Sequence, residues 1–258
     1  PIALDELIPD WKEKGAPLKT KVKKDIFNFF SNKKSFTIPQ ILMPPLMSNK
    51  DNYIISLGDL SNWLSKEAEN LGVEIYPGFT AQEPLFNDKN ELIGILTGDM
   101  GRDANGDETN NFVAGIEIHA KYSLIAEGTR GSITKQIENK LSLRNNCDPQ
   151  KYGLGFKEIW RLNKDNHKSG LVEHSLGWPL EDDTGGGSFV YHYGENLISL
   201  GFVVHLDYSN PYLSPFDEFQ RFKTHPKIKN LLTGGERISY GARAINEGGV
   251  QSWAELVF

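Results

Sequence analysis

Two kinds of hydrophobic spacing run along this chain, and they change over near Lys151. Before that point short apolar strands alternate with helical runs; beyond it, longer alternating segments follow one another with a single helix among them. Residues 53–57 read as a strand, after which Leu60, Trp63, Leu64, Ala68 and Leu71 fall at helical spacing until Gly72 stops the run. Residues 73–76 read as the next strand, and 83–86 and 92–97 as a meander turning through 87–90. A loop over 102–111 leads to strand-like 115–119 and 123–126, then to a helix through Ile133 and Ile137. Such an order belongs to nucleotide-binding α/β domains. Past Lys151 the strand candidates are 153–162, 171–178, 188–193 and 197–207, with a hairpin turn at 193–196. Ser214-Pro215-Phe216-Asp217 is a helix start, with a capping serine, a proline at the first helical position and an acid three residues on. One helix is expected to cover this sheet, and a short strand at 237–240 to lead into a loop at 241–249. Residues 3–8 read as a short helix that starts abruptly, as in a piece of a longer protein.

Charge and cysteine content remove several functional classes. Lys and Arg number 28 against 34 Asp and Glu, a net charge of −6, so no basic surface for nucleic acid is expected. One cysteine, Cys147, rules out an internal disulfide and any zinc or iron–sulfur site that draws several thiolates from these residues. The six histidines form neither an HxH nor an HExxH pattern, so no metal ligand and no catalytic residue is assigned. Neither a GxSxG elbow nor a GxGxxG phosphate loop occurs. No apolar run approaches the length of a membrane span, and no charged-then-apolar leader opens the sequence.

Three glycine-bearing places remain. The run 124–128 ends an apolar strand in Ala126, Glu127 and Gly128, where bare main chain can approach a nucleotide, the following helix can aim its amides at negative charge, and Arg130 can add a cation. Thr184-Gly185-Gly186-Gly187-Ser188 exposes main chain to a flat apolar carbonyl compound such as a quinone. The stretch 240–249, ending in Gly248 and Gly249, either wraps a cofactor or turns a corner. Each has a plainer reading as a packed turn, bulge or mobile loop. Residues 36–47 combine three prolines with Phe36, Ile38, Ile41, Leu42, Leu46 and two methionines; helix is denied to them, so the apolar groups must meet either the body of the protein or a membrane. Lys33, Lys34 and Lys50 beside them suit lipid headgroups or water equally.

Taken in order, the segments resemble the electron transfer flavoprotein-ubiquinone oxidoreductases. The phrases that carry the likeness are LDELIPDWKEKGAPL from Leu4, LGVEIYPG from Leu71, Ala126 to Gly128, Gly177-Trp178-Pro179-Leu180, and Gly186 to Phe189 with Tyr191-His192. Farther on come LGFVV from Leu200, DYSNPYLSPFDE from Asp207 and YGARAINEGGVQS from Tyr240. The resemblance implies an α/β to α+β fold: an incomplete FAD-binding domain over 1–150 with a membrane-facing loop near 36–47, an antiparallel ubiquinone-binding sheet domain over 151–240, and a return towards the FAD domain over 241–258. It implies electron transfer from reduced electron transfer flavoprotein, through FAD and a [4Fe-4S] cluster, to ubiquinone, by a monotopic protein on the mitochondrial inner or bacterial cytoplasmic membrane. Ala81 would lie near the adenine end of the flavin, Ala126, Glu127, Gly128 and Arg130 on the flavin side, and Gly248 and Gly249 near its ring. Gly186 and Gly187 would meet the quinone. The family's GxGxxG would precede Pro1 and its cluster cysteines would follow Phe258, so the fragment by itself is expected to be inactive. Gly185 stands where the family tends to carry an aromatic residue, and 253–258 follow the pattern less closely. Two rival readings are a flavin-dependent reductase or hydroxylase of another apolar substrate, such as a polyprenyl compound, and a membrane-docking module without redox chemistry.

Overall fold

The computed structural model describes residues 2–181 and 183–255. Pro1, Asp182 and 256–258, the end of the expected return segment, lie outside the described residues. Along the chain run α1 (Ile2–Leu7), β1 (Thr20–Lys21), β2 (Lys24–Phe30), β3 (Ser35–Ile38), β4 (Tyr53–Ile54) and α2 (Leu57–Asn70). Then come β5 (Ala81–Phe86), β6 (Leu92–Thr97), β7 (Met100–Arg102), β8 (Glu108–Val113), β9 (Glu117–His119) and α3 (Ser132–Leu141). The last part holds β10 (Lys151–Arg161), β11 (Leu171–Gly177), β12 (Gly186–Tyr193), β13 (Leu197–His205), α4 (Pro215–Thr224), α5 (Pro226–Leu232) and β14 (Glu236–Glu247). These elements gather into two units. One joins the residues up to Val73 with Tyr152–Ile245, and the other joins Glu74–Lys151 with the residues from Asn246 on.

A seven-stranded sheet in the order β14-β10-β13-β12-β11-β2-β3 dominates the first unit. The pairs β10/β13, β13/β12, β12/β11 and β2/β3 are antiparallel, whereas β11 and β2 run parallel from Leu171↔Lys24 to Gly177↔Phe30. Parallel neighbours need a long connection, and here everything between Phe30 and Leu171 serves as one. Residues 24–38, which the sequence reading grouped with 1–150, thus extend the sheet built by the strands after Lys151.

The strand period decides which side chains form the core. On β13, Ile198, Leu200, Phe202 and Val204 are all essentially fully buried on one face. With Phe30 and Val190 they pack under α4 and α5 against Phe219, Phe222, Ile228 and Leu232. The Phe202 ring stacks on Phe219 and Phe222 with centroids 6.0 and 5.5 Å apart. Glu158 is buried beside this core and is fully engaged: it accepts from Trp160 Nε1 at 2.7 Å, Lys223 Nζ at 2.8 Å and Arg237 at 3.1 Å. Three donors compensate the desolvation of one carboxylate.

The helix start at Ser214 forms as its sequence predicts, with the Ser214 hydroxyl accepting from the Asp217 amide at 3.3 Å and Pro215 opening α4. Two helices, not one, cover the sheet. Pro226 cannot continue α4 but suits the first position of α5, whose Lys227 amide donates to His225 Nδ1 at 3.3 Å. The stretch 241–249 is also not a simple loop, because β14 runs on to Glu247. A Cβ at Gly241 would meet nothing within 4 Å, so that glycine marks no close approach and pairing carries the strand through it.

The second unit contains the three-stranded sheet β5-β6-β9 and the hairpin β7-β8. Ile133 and Ile137 of α3 are buried, as their spacing requires. The hairpin replaces the loop expected over 102–111: Asp103 Oδ1 accepts from the Asn105 and Asp107 amides, and Gly106 takes a φ of +89°, which together close a tight turn. The strands expected at 73–76 and 123–126 do not form. A strand exists only beside a hydrogen-bonded neighbour, and among the described residues neither segment has one; Leu124 stays 97% exposed. Replacing Phe202 with Ala should cost about 3–5 kcal/mol of stability, measurable by chemical denaturation, because the ring is enclosed on both the sheet and helix sides.

Candidate functional site

The face of the seven-stranded sheet away from α4 and α5 carries the odd-numbered partners of the core residues on β13: Ser199, Gly201, Val203 and His205. Where β2, β11, β12 and β13 lie side by side, this face holds a cavity of about 250 Å³. Its walls are Phe27, His174, Leu176, Gly186, Gly187, Phe189, Val203 and His205, with Ser175 and Ser188 behind them. The two serine hydroxyls hydrogen-bond to each other, which leaves the lining largely apolar. Phe189 leans over Gly201 and stacks on Tyr191 with centroids 4.6 Å apart.

The two glycines at the mouth are small because the backbone leaves no room for more. Gly186 has a φ of +148°, and a Cβ there would collide with the Val203 carbonyl and press on Leu180. A Cβ on Gly187 would sit 2.9 Å from the Ser175 carbonyl oxygen and 3.1 Å from Leu176 Cδ2. Beside them, a Cβ on Gly185 would lie 2.5 Å from His205 Nδ1, so the imidazole occupies the space that a side chain at 185 would claim. Main-chain groups in an apolar recess can orient a carbonyl compound without competing side chains.

The other sequence candidates all lie in the second unit. Ala81 heads β5 opposite Thr97. Ala126, Glu127, Gly128 and Arg130 are exposed, and Gly128 has a φ of +72° with open space around its Cβ position, which leaves main chain accessible to a flat ligand. The α3 amides are already occupied, contrary to the expectation that they aim at a bound anion. Glu127 itself accepts from Ser132 and Ile133, each at 3.2 Å, and from the Thr134 amide at 2.7 Å and hydroxyl at 2.8 Å. Gly248, at φ +110°, packs against Ser252 Oγ, and Gly249 sits where a Cβ would strike Gln251. Tight local packing therefore accounts for these two glycines as well as a ligand would.

Among the described residues no group of three or more His, Cys, Asp or Glu could hold a metal ion. Cys147 Sγ donates to the Arg144 carbonyl at 3.5 Å. These residues do not fit a [4Fe-4S] cluster.

The proline-broken segment resolves a choice the sequence left open. It forms short 3₁₀ turns at Gln40–Leu42 and Pro45–Met47 beyond the sheet edge, with Ile41 91% and Leu46 99% exposed and Phe36 and Leu42 also in the open. Ile38 and Met43 are half-buried, but these four apolar side chains are not tucked against the protein. No described helix is long and apolar enough to cross a membrane.

Residues 152–245 match a family described as ETF-QO, ubiquinone-binding. Over all of its length the chain is 53% identical to the mitochondrial electron transfer flavoprotein-ubiquinone oxidoreductase of Dictyostelium discoideum, covering 42% of that protein. It is 52% identical to the human protein, again over 42% of it, and 51% identical to that of Pseudomonas aeruginosa, over 47%. The chain thus spans less than half the length of these relatives, which are oxidoreductases by name. The likeness carried by the sequence phrases is borne out along the whole chain. Among solved structures, a flavin-dependent brominase aligns with a TM-score of 0.60, 15% identity and 95% of this chain against 55% of its own. A geranylgeranyl bacteriochlorophyll reductase-like protein of Thermoplasma acidophilum aligns at 0.59, 14% identity and 87% against 50%. At such identities the likeness is one of fold, and it bears out the mixed α/β class with a flavoprotein-like arrangement.

Glu127 supplies a pH test of the local structure. Desolvation disfavours its charge, but the Thr134, Ile133 and Ser132 hydrogen bonds outweigh that and hold its carboxyl below the ordinary value. A depressed folded pKa stabilises above the unfolded value, and that support disappears as pH falls through the folded one. Relative to pH 7, the protection factors of amides in the first turn of α3, corrected for intrinsic exchange, should therefore fall below the ordinary carboxylate range, and Glu127→Gln should weaken this dependence.

Proposed function

We propose that the chain is part of an electron transfer flavoprotein-ubiquinone oxidoreductase, and that the cavity behind Gly186 and Gly187 receives the quinone head group. The observation that carries this reading is a sheet face on which two glycines, each forbidden a side chain by its neighbours, open bare main chain onto an apolar recess. The recess falls within the residues that match a ubiquinone-binding family. Phe27, Phe189 and Val203 suit a planar apolar ring, and the main chain at 186–187 suits its carbonyl oxygens.

FAD would supply the two-electron chemistry when bound. The main chain at 126–128 is the best-suited part of this chain to lie against it, with Ala81, Arg130, Gly248 and Gly249 as further flavin-side residues. The domain roles proposed are those of the sequence reading: flavin binding around 1–150 and 241–258, quinone binding in 151–240, with β2 now contributing Phe27 to the quinone side. Electron transfer flavoprotein would be the donor, and a [4Fe-4S] cluster would draw its ligands from outside these residues. The exposed Phe36, Ile41, Leu42 and Leu46, near Lys33, Lys34 and Lys50, suit a monotopic seat on the surface of an inner or cytoplasmic membrane, where a lipid-soluble acceptor is found.

Titrating the full-length, FAD-loaded protein with a short-chain ubiquinone should give quinone-dependent reoxidation of the reduced flavin. A flavin spectrum without that reoxidation would favour a reductase of another apolar substrate, and the absence of both would favour a docking module. Gly187→Val should raise the quinone KM by about tenfold, which corresponds to about 1.4 kcal/mol; unchanged kinetics would remove Gly187 from the site. Leu42→Glu with Leu46→Glu should sharply reduce flotation with liposomes, and normal flotation would count against the membrane seat.

A further inference from the structure

Reducing a quinone to a quinol takes two protons as well as two electrons, and walls such as Phe27, Leu176 and Phe189 carry no proton to give. A polar line crosses this apolar face on three adjacent strands: Asp25 on β2, His174 on β11 and Tyr191 on β12. Tyr191 Oη lies 2.7 Å from His174 Nε2, and Nδ1 of the same ring faces Asp25 Oδ1 at 4.0 Å. The carboxylate is fixed through its other oxygen, which accepts from the Asn49 amide at 2.9 Å and from Asn49 Nδ2 at 3.0 Å. A carboxylate opposite Nδ1 favours the proton on that nitrogen, so that Nε2 accepts from the tyrosine hydroxyl. The two ends of the pair open into different spaces. His174 lines the proposed quinone cavity, whereas Tyr191 lines a neighbouring cavity of about 520 Å³ that also contains the polar side chains of Asn49 and Asn52.

We propose that Tyr191 and His174, with Asp25 as the positioning residue, form a proton relay from the Asn49–Asn52 side to the quinone; this rests on the quinone reading of the cavity. Tyr191 passes a proton to the His174 ring and regains one from water on the Asn side. Asp25 steadies the imidazolium, which surrenders its Nδ1–H proton to a quinone oxygen as an O–H bond forms there, and the ring returns to the Nδ1–H tautomer before the second passage. Two passages, with two electrons from the reduced flavin, convert quinone to quinol. Burial lowers the His174 pKa, with Asp25 working in the opposite direction, and burial followed by Asp25 raises that of Tyr191. Both shifts favour a neutral ring and an intact phenol at rest.

The test uses the full-length FAD-loaded protein with a short-chain ubiquinone and the variants His174→Gln, Tyr191→Phe and Gly187→Val. The relay variants should lower kcat about 10- to 100-fold, leave KM within about twofold and enlarge the solvent deuterium isotope effect. Should His174→Gln fail to retain flavin, Tyr191→Phe, which removes one oxygen, still decides the matter. Unchanged kcat in both variants, or a raised KM with kcat intact, would overturn the relay. If Gly187→Val raises KM while the relay variants turn over normally, the cavity stands and the relay falls. If the unsubstituted protein reduces no quinone, both fall.

Discussion

The parallel pairing of β2 with β11 is the constraint on which the rest of the first unit depends. Seven consecutive residue pairs, from Leu171↔Lys24 to Gly177↔Phe30, fasten an early strand beside a late one. That pairing places Phe27 in the cavity wall and Asp25 opposite the His174 ring, and it delivers Phe30 to the core on the other side. A shift of one residue would exchange the two faces of β2, turning Phe30 out and Asp25 in. The buried core and the candidate site are therefore set by the same register.

The sheet has two different faces because its strands alternate two kinds of residue. On β13 the even positions are large and buried under α4 and α5, whereas the odd positions Ser199 and Gly201 are small. On the neighbouring β12, Gly187, opposite Val203, is likewise without a side chain. Removing bulk on the face away from α4 and α5 creates the recess, and the face beneath those helices supplies the stability that allows a cavity to remain open. Glu158 with Lys223 and Arg237 adds a charged anchor between sheet, α4 and β14.

Segments whose partners are close in sequence were legible from spacing alone. Ser214-Pro215 marked α4, the Asn87–Asn90 turn marked the β5/β6 meander, and Ile133 with Ile137 marked the buried side of α3. Misreadings fell where the outcome depends on distant partners. Apolar 73–76 and 123–126 carry strand-like residues but have no hydrogen-bonded neighbour among the described residues, and β14 runs through a glycine because pairing outweighs local preference. Of the site, Gly186 and Gly187 were visible as bare main chain. His174, Tyr191 and Asp25 were not, since no local motif links residues so far apart in sequence. That the Glu127 carboxylate caps α3 was also not legible.

By itself the sequence determined the class of fold, the family likeness, the three glycine-bearing places and the presence of a greasy, proline-broken segment. These follow from local spacing and from residue types that restrict the backbone wherever they occur. Only the tertiary structure decided that 24–38 joins the later sheet, that the greasy segment faces outward and that an acid, an imidazole and a phenol line up across three strands. Strand pairing is a contact between distant stretches, and its register, not the identity of any one residue, sets which side chains meet.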